Sequence, residues 1–190
     1  ADSLAAVRTL VYETREVSPL ELRRALAGNF AQAPDLLRRI RGLPKYGNDD
    51  PVPDGLAAEI AGFVFGEMRR YAPWRGGRFL PGCLLFVTYG GAGAPLAASP
   101  DGRLAGEAIA DSIGPHQGRD VNSPTAMLSS VAKLDHAAGI GTLVLNMRLA
   151  ASFFADRTGR RAVRDLVAAY FSLGGMQLQI TVADQAVLRD

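Results

Sequence analysis

The sequence predicts an α/β fold in which parallel strands alternate with helices, preceded by a helical segment. Three observations lead there. Apolar segments of strand length recur at 83–89, 142–149 and 176–182. Helical patterns stand between them, at 124–134 and about 160–173. The first two segments are apolar on both faces, the pattern of strands covered on both sides. Strand, helix, strand, helix, strand implies right-handed parallel crossovers. Three strands do not close a barrel, and an open parallel sheet leaves edges that need partners. The expected layout is therefore a helical segment over 1–72 and a strand-helix-strand-helix-strand unit over 82–190, part of a larger parallel α/β assembly.

Each element has its own signal. Leu4, Val7, Leu10 and Val11 recur at helical spacing over 3–14. Ser18-Pro19-Leu20-Glu21 is a capping box that starts a second helix, and Gly28 stops it. A short third helix puts Leu36, Leu37 and Ile40 on one side. A polar loop over 45–53 follows, and its Asn48-Asp49-Asp50 cluster reads as turn and cap chemistry in preference to a cation site. The longest helix, 54–71, is expected to bury Leu56, Ile60, Phe63, Val64 and Met68, and Pro73 ends it. Ser123-Pro124 marks the start of the next helix. In the last helix Ala162-Val163, Leu166-Val167 and Tyr170-Phe171 form the apolar stripe, with Gly174 as its cap. The third strand alternates, with Met176, Leu178, Ile180 and Val182 on one face and Gln177, Gln179 and Thr181 on the other.

Composition narrows the function. Twenty-one basic residues face 19 acidic ones, a net charge of +2, which argues against a dedicated nucleic-acid binder. Arg23-Arg24, Arg38-Arg39 and Arg160-Arg161 read as solvated helix faces. Cys83 is the single cysteine, so no disulfide forms within the chain, and a cytoplasmic setting is expected. No apolar run approaches the ~20 residues that span a bilayer, and no secretory signal is visible. The chain starts on Ala1 and opens directly into a helix, as a piece of a longer protein would.

Candidate chemistry is sparse. Cys83 opens an apolar strand and reads as a structural thiol. His116 sits in a long polar loop, where functional residues concentrate, whereas His136 follows a helix and suits its C-terminus. No spacing typical of a metal site joins them. Asp111, Asp120, Asp135 and Glu107 are acid–base candidates, yet no spacing pairs two of them on one face. The run Tyr89-Gly90-Gly91-Ala92-Gly93-Ala94 lacks the lysine of a phosphate loop and reads as a flexible loop.

The loop over 99–134 carries a resemblance. Ser99-Pro100-Asp101-Gly102-Arg103, Ala110-Asp111-Ser112-Ile113-Gly114-Pro115, Gly118-Arg119-Asp120, Ser123-Pro124-Thr125-Ala126 and Ser130 through His136 resemble the glycyl radical enzymes. These are the pyruvate formate-lyase-like group, and the nearer likeness is to the glycerol and diol dehydratase branch. Pro44 to Asp50, Arg75-Gly76-Gly77-Arg78 with Pro81-Gly82, Tyr170-Phe171 with Leu173 to Met176, and Leu188-Arg189-Asp190 fit as well, in family order along the whole chain.

The resemblance implies a ten-stranded α/β barrel, of which this chain is the C-terminal part. It implies radical cleavage of a C–C, C–O or C–N bond. An activating enzyme that uses S-adenosylmethionine and an iron–sulfur cluster makes a glycyl radical. That radical oxidises a cysteine to a thiyl radical, which takes a hydrogen atom from the substrate. Neither the thiyl cysteine nor the radical glycine matches a residue of this sequence, so no catalytic residue is assigned and the 190 residues alone are expected to be inactive. Leu84, Phe86 and His116 are expected to wall the substrate cavity. Leu84 departs from the polar aromatic residue that dehydratases tend to carry there, which points to a more apolar or differently oriented substrate. Expected partners are the rest of the barrel with its glycyl radical domain, the activating enzyme, a small-molecule substrate and a second copy in a homodimer, with no metal, nucleic acid or membrane.

Overall fold

A computed structural model describes residues 1–85 and 88–183. Helix α1 (Asp2–Val7) continues into a π-helical turn over Arg8–Glu13. Helix α2 (Pro19–Ala27) starts as its sequence requires: Ser18 Oγ accepts the Glu21 N–H, and the Glu21 carboxylate accepts the Ser18 N–H. The Ser18 hydrogen bonds hold the Glu21 carboxyl below its usual range. Helix α3 (Pro34–Gly42) ends on the buried Lys45, whose ammonium donates to the Ile40 and Leu43 carbonyls at 2.6 and 3.0 Å. A cation there satisfies orphan carbonyls and favours the negative end of the helix. Ala6, Leu10, Leu22, Phe30 and Ile40 form a first core among these helices.

Helix α4 (Pro51–Arg69) is capped by Asp50, whose side chain accepts from Val52 N–H. Its packing corrects the expected stripe. Phe65 is 2% exposed, but Phe63 is 68% exposed, and Val64 and Met68 are also exposed. The small residues Ala57, Ala58 and Ala61 face the core with Phe65. The helix is apolar nearly all round, so periodicity alone does not say which side is covered.

Three parallel strands form one open sheet in the order β1 (Gly82–Cys83), β2 (Thr142–Ala150), β3 (Gln177–Ala183). Between them stand α5 (Tyr89–Gly93), α6 (Pro124–Ala132), a 3₁₀ turn at Ala151–Phe154 and α7 (Arg157–Ser172). The strand expected over 83–89 is much shorter. Past Cys83 another segment takes the edge of β2: Ile113 N–H donates to Val144 O at 3.2 Å, and Leu85 N–H donates to Ser112 Oγ at 3.0 Å. The glycine run expected as a flexible loop is instead the short helix α5, with Gly93 packed so tightly that a Cβ there would lie 2.2 Å from Glu107 O.

Helix α7 ends in a Schellman motif. Gly174 has φ +95°, its N–H donates to Phe171 O, and Gly175 N–H donates to Tyr170 O. The second core lies between the sheet and α4, α6 and α7, built on Phe65, Leu128, Val131, Leu143, Leu145, Met147 and Tyr170. Among the described residues no helix is long and apolar enough to cross a membrane.

Candidate functional site

The sheet has one face on the helices and one open face. Leu143, Leu145, Met147 and Leu149 of β2 point into the core. By alternation Asn146 and Arg148 take the open face. The register pairs Asn146 with Gln179, Arg148 with Thr181 and Val144 with Gln177, so β3 adds Gln177, Gln179 and Thr181 to that face. Leu178 and Ile180 pack against the core, as the alternation predicts, while Val182 is exposed.

The polar loop folds onto this face. The buried Asp111 carboxylate accepts Asn146 Nδ2–H at 2.9 Å and lies 3.9 Å from the Arg148 guanidinium, which also donates to Tyr89 Oη at 3.2 Å. Ser112, with φ +47°, turns its hydroxyl to Leu85 N–H. A polar cleft of about 490 Å³ opens beside these groups. Gln117, Asp120 and Asn122 line one side of it, and Asn146 and Arg148 line the other.

A second cleft, of about 400 Å³ and mostly apolar, lies across Gly114, which borders both. Tyr46, Phe65, Cys83, Ile113, Arg103 and His116 line it. His116 thus lines this cleft. Its Nε2 lies 3.0 Å from Ala108 O and its Nδ1 3.2 Å from Gln117 O. Tyr46 donates its phenol to Ile113 O at 3.0 Å, and burial pushes that phenol well above its usual range. Leu84 does not join His116 here. It stands 49% exposed just past β1, one residue on from the core-facing Cys83, and so shares the side of Asn146. Phe86 lies outside the described residues.

Other candidates serve the backbone. The buried Arg103 donates to the carbonyls of Ala97, Leu104 and Glu107. Burial pushes the Asp101 carboxyl up, but hydrogen bonds from Ser99 and Ser3 outweigh it and hold the group below its ordinary value. Glu107 accepts Leu104 N–H, and Asp135 accepts Ala138 N–H. His136 caps α6: Nε2 donates to Val131 O at 3.1 Å, and Nδ1 accepts Met176 N–H at 3.2 Å. No group of three or more metal-ligating side chains occurs among the described residues. The Asn48 to Asp50 cluster is turn and cap chemistry, with Asp49 at φ +58° and Asp50 on α4. Sequence reasoning missed Asn146 and Arg148. The signal was present, since they break an apolar strand at a spacing of two.

Burial alone pushes the half-buried Cys83 thiol up. Only the thiolate reacts quickly, so alkylation of the Cys83 peptide at pH 8 is expected to be slower than that of glutathione. Faster labelling, followed by mass spectrometry, would refute the structural role.

The comparisons with known proteins agree along the whole chain. A family profile described as pyruvate formate lyase-like matches residues 1–93, and one described as glycine radical matches residues 109–190. Trans-4-hydroxy-L-proline dehydratase of Clostridioides difficile is 35% identical over 98% of this chain and 24% of its own length. The glycerol-bound B12-independent glycerol dehydratase of Clostridium butyricum superposes with a TM-score of 0.94 at 33% identity, over 98% of this chain and 24% of that one. A structure concerned with 1,2-propanediol dehydration in Roseburia inulinivorans gives 0.95 at 35% identity, over 100% of this chain and 25% of that one. This chain belongs to the pyruvate formate-lyase-like glycyl radical enzymes, and it spans about a quarter of the length of the relatives it matches.

Proposed function

We propose that these residues are the C-terminal part of the barrel in an enzyme that cleaves a C–O, C–C or C–N bond of a small molecule by glycyl radical chemistry. The observation that carries this is the superposition of 98% of this chain on 24% of the glycerol dehydratase, at a TM-score of 0.94. In this reading the segment supplies scaffold and walls of the substrate cavity, with Leu84 on the side of the polar cleft, His116 in the apolar cleft across Gly114, and Phe86 close to Leu84 in sequence. The thiyl cysteine and the radical glycine come from other parts of the protein, so the isolated segment has no turnover. An S-adenosylmethionine-dependent iron–sulfur enzyme installs the radical, the working form is a homodimer, and the enzyme is cytoplasmic. Three named relatives or neighbours concern a hydroxylated compound: glycerol, 1,2-propanediol or hydroxyproline. A small hydroxylated substrate is the parsimonious assignment, and leucine at 84 favours one with an apolar portion.

The test is to read the coding sequence on both sides of residues 1 and 190, express the full protein, activate it without oxygen and record its electron paramagnetic resonance. A glycyl radical signal, with consumption of one of the three compounds or an apolar relative of them, is the expected result. A stop codon directly after Asp190 would overturn this reading in favour of a non-catalytic module.

A further inference from the structure

We infer that Asn48 is the positioning residue of the polar cleft. The inference rests on the reading above only in treating that cleft as part of the site.

A side-chain amide has two N–H donors and two acceptor lone pairs. Asn48 uses all four. Its Nδ2 donates to Lys45 O at 3.1 Å and Arg119 O at 2.7 Å. Its Oδ1 accepts Val121 N–H at 2.8 Å and Asn122 N–H at 3.0 Å. Asn122 Nδ2 returns a fifth bond, to Asn48 O at 2.9 Å. Three of the four amide bonds therefore grip residues 119–122, more than 70 positions away in sequence.

That stretch has few other ties: His116 Nε2 lies 3.0 Å from Ala108 O, and Arg119 Nη2 donates to Gly102 O at 3.4 Å. Residues 115–122 belong to no helix or strand. Within them the backbone bond is a single turn, Arg119 N–H to His116 O. Yet Gln117, Asp120, Val121 and Asn122 form the loop side of the polar cleft, opposite Asn146 and Arg148.

The gripping loop is itself anchored, and it touches the stretch at a second point, Pro115, which also lines the cleft. Lys45 is bound to the end of α3. Gly47, at φ +97°, lies against Pro115 so closely that a Cβ would come within 2.6 Å of it. Asp49 donates its N–H to Ser130 Oγ at 2.8 Å, and its carboxylate pairs with Lys133 at 2.6 Å. A rigid loop thus carries one fully used amide into a stretch with no secondary structure of its own. Asn48 thereby sets how far Asp120 and Gln117 stand from Arg148 and Asp111. Aspartate, the same size, would face two carbonyls with acceptors in place of donors.

The test uses the full-length protein with Asn48→Ala and Asn48→Asp, and Asn29→Ala as control. Asn29 Oδ1 accepts a single backbone N–H, from Ala105, away from both clefts. Hydrogen exchange is read by peptide, and kcat and KM are measured on whichever compound the wild type consumes. Asn48→Ala should speed exchange across 115–122 by about tenfold or more, since the Val121 and Asn122 N–H groups lose their acceptor, and Asn48→Asp should do the same because its carboxylate repels the Lys45 and Arg119 carbonyls. They should lower kcat/KM by a similar factor while α4 and α6 exchange as before. Asn29→Ala should leave both quantities unchanged. Unchanged exchange at 115–122, an equal rise throughout α4 and α6, or turnover no worse than in Asn29→Ala would overturn the inference. A wild type without radical or turnover would sink the enzymatic reading, while the exchange result still decides whether Asn48 is the clamp.

Discussion

Tyr170→Ala is expected to cost about 3–5 kcal/mol of stability, and Tyr170→Phe to cost nothing or to stabilise. The ring is fully buried at 0% exposure where α6, α7 and β3 meet. It stands edge-on to the His136 ring at 6.1 Å between centroids. Gly175 lies directly against it, and a Cβ at 175 would fall 2.3 Å from Tyr170 Cζ. Removing the ring therefore opens a cavity at a point where three elements join. The hydroxyl is a different matter. It is buried with no hydrogen-bond partner among the described residues, and burial pushes its pKa up to about 12. Phenylalanine keeps the packing and deletes an unpaired polar group. Urea unfolding of both variants in the full-length protein checks this, and a phenylalanine variant as damaged as the alanine one would show that the hydroxyl is held after all.

Lys133→Met is expected to cost about 3 kcal/mol, more than Asp54→Asn. Asp54, in the first turn of α4, is 0% exposed and sits 2.7 Å from the Lys133 ammonium at the end of α6. Ser130 Oγ donates to the same carboxylate oxygen at 2.9 Å. Losing the lysine strands a buried carboxylate on one hydroxyl, whereas losing the aspartate leaves a half-exposed ammonium that water and Asp49 serve. Burial lowers the pKa of Lys133, but its bonds to Asp49 and Asp54 prevail and raise it. The sign follows. A lysine whose folded pKa lies above its unfolded one stabilises fully below the unfolded value, near 10.5, and loses that contribution as pH rises through the folded value. The wild type should then lose stability in strongly alkaline solution by a step that Lys133→Met lacks, and melting curves at neutral and alkaline pH decide it.

The Lys133 pairing joins two motifs that were readable without a structure, one of them as turn and cap chemistry. Ser130 through His136 and Lys45 through Asp50 stood out by composition and order. Folding shows that they clasp each other through Ser130, Lys133 and Asp49, with Asp54 of α4 bound to the same serine and lysine. Asp111 was a lone acid by spacing, and only the approach of β2 supplies its partners Asn146 and Arg148.

By itself the sequence determined what local chemistry decides. Ser18 and Glu21, Ser123-Pro124 and Gly174 set helix ends at or within a residue of where they stand, because caps depend on neighbours a few positions away. The alternation of β3 was legible for the same reason, the parallel order of strands from the helices between them, and the ordered motifs identified the family. Tertiary structure alone decided three further things. Helix α4 buries its alanines and Phe65 and exposes Phe63, because a helix apolar all round is oriented by what packs on it. Strand β1 stops at Cys83 because a segment some thirty residues later, at Ser112 and Ile113, takes its hydrogen bonds. One rim of the polar cleft is held by Asn48 from more than 70 positions away. Bonds of that separation leave no periodic trace in a sequence, since they are set by where the chain returns and not by the repeat of a helix or strand.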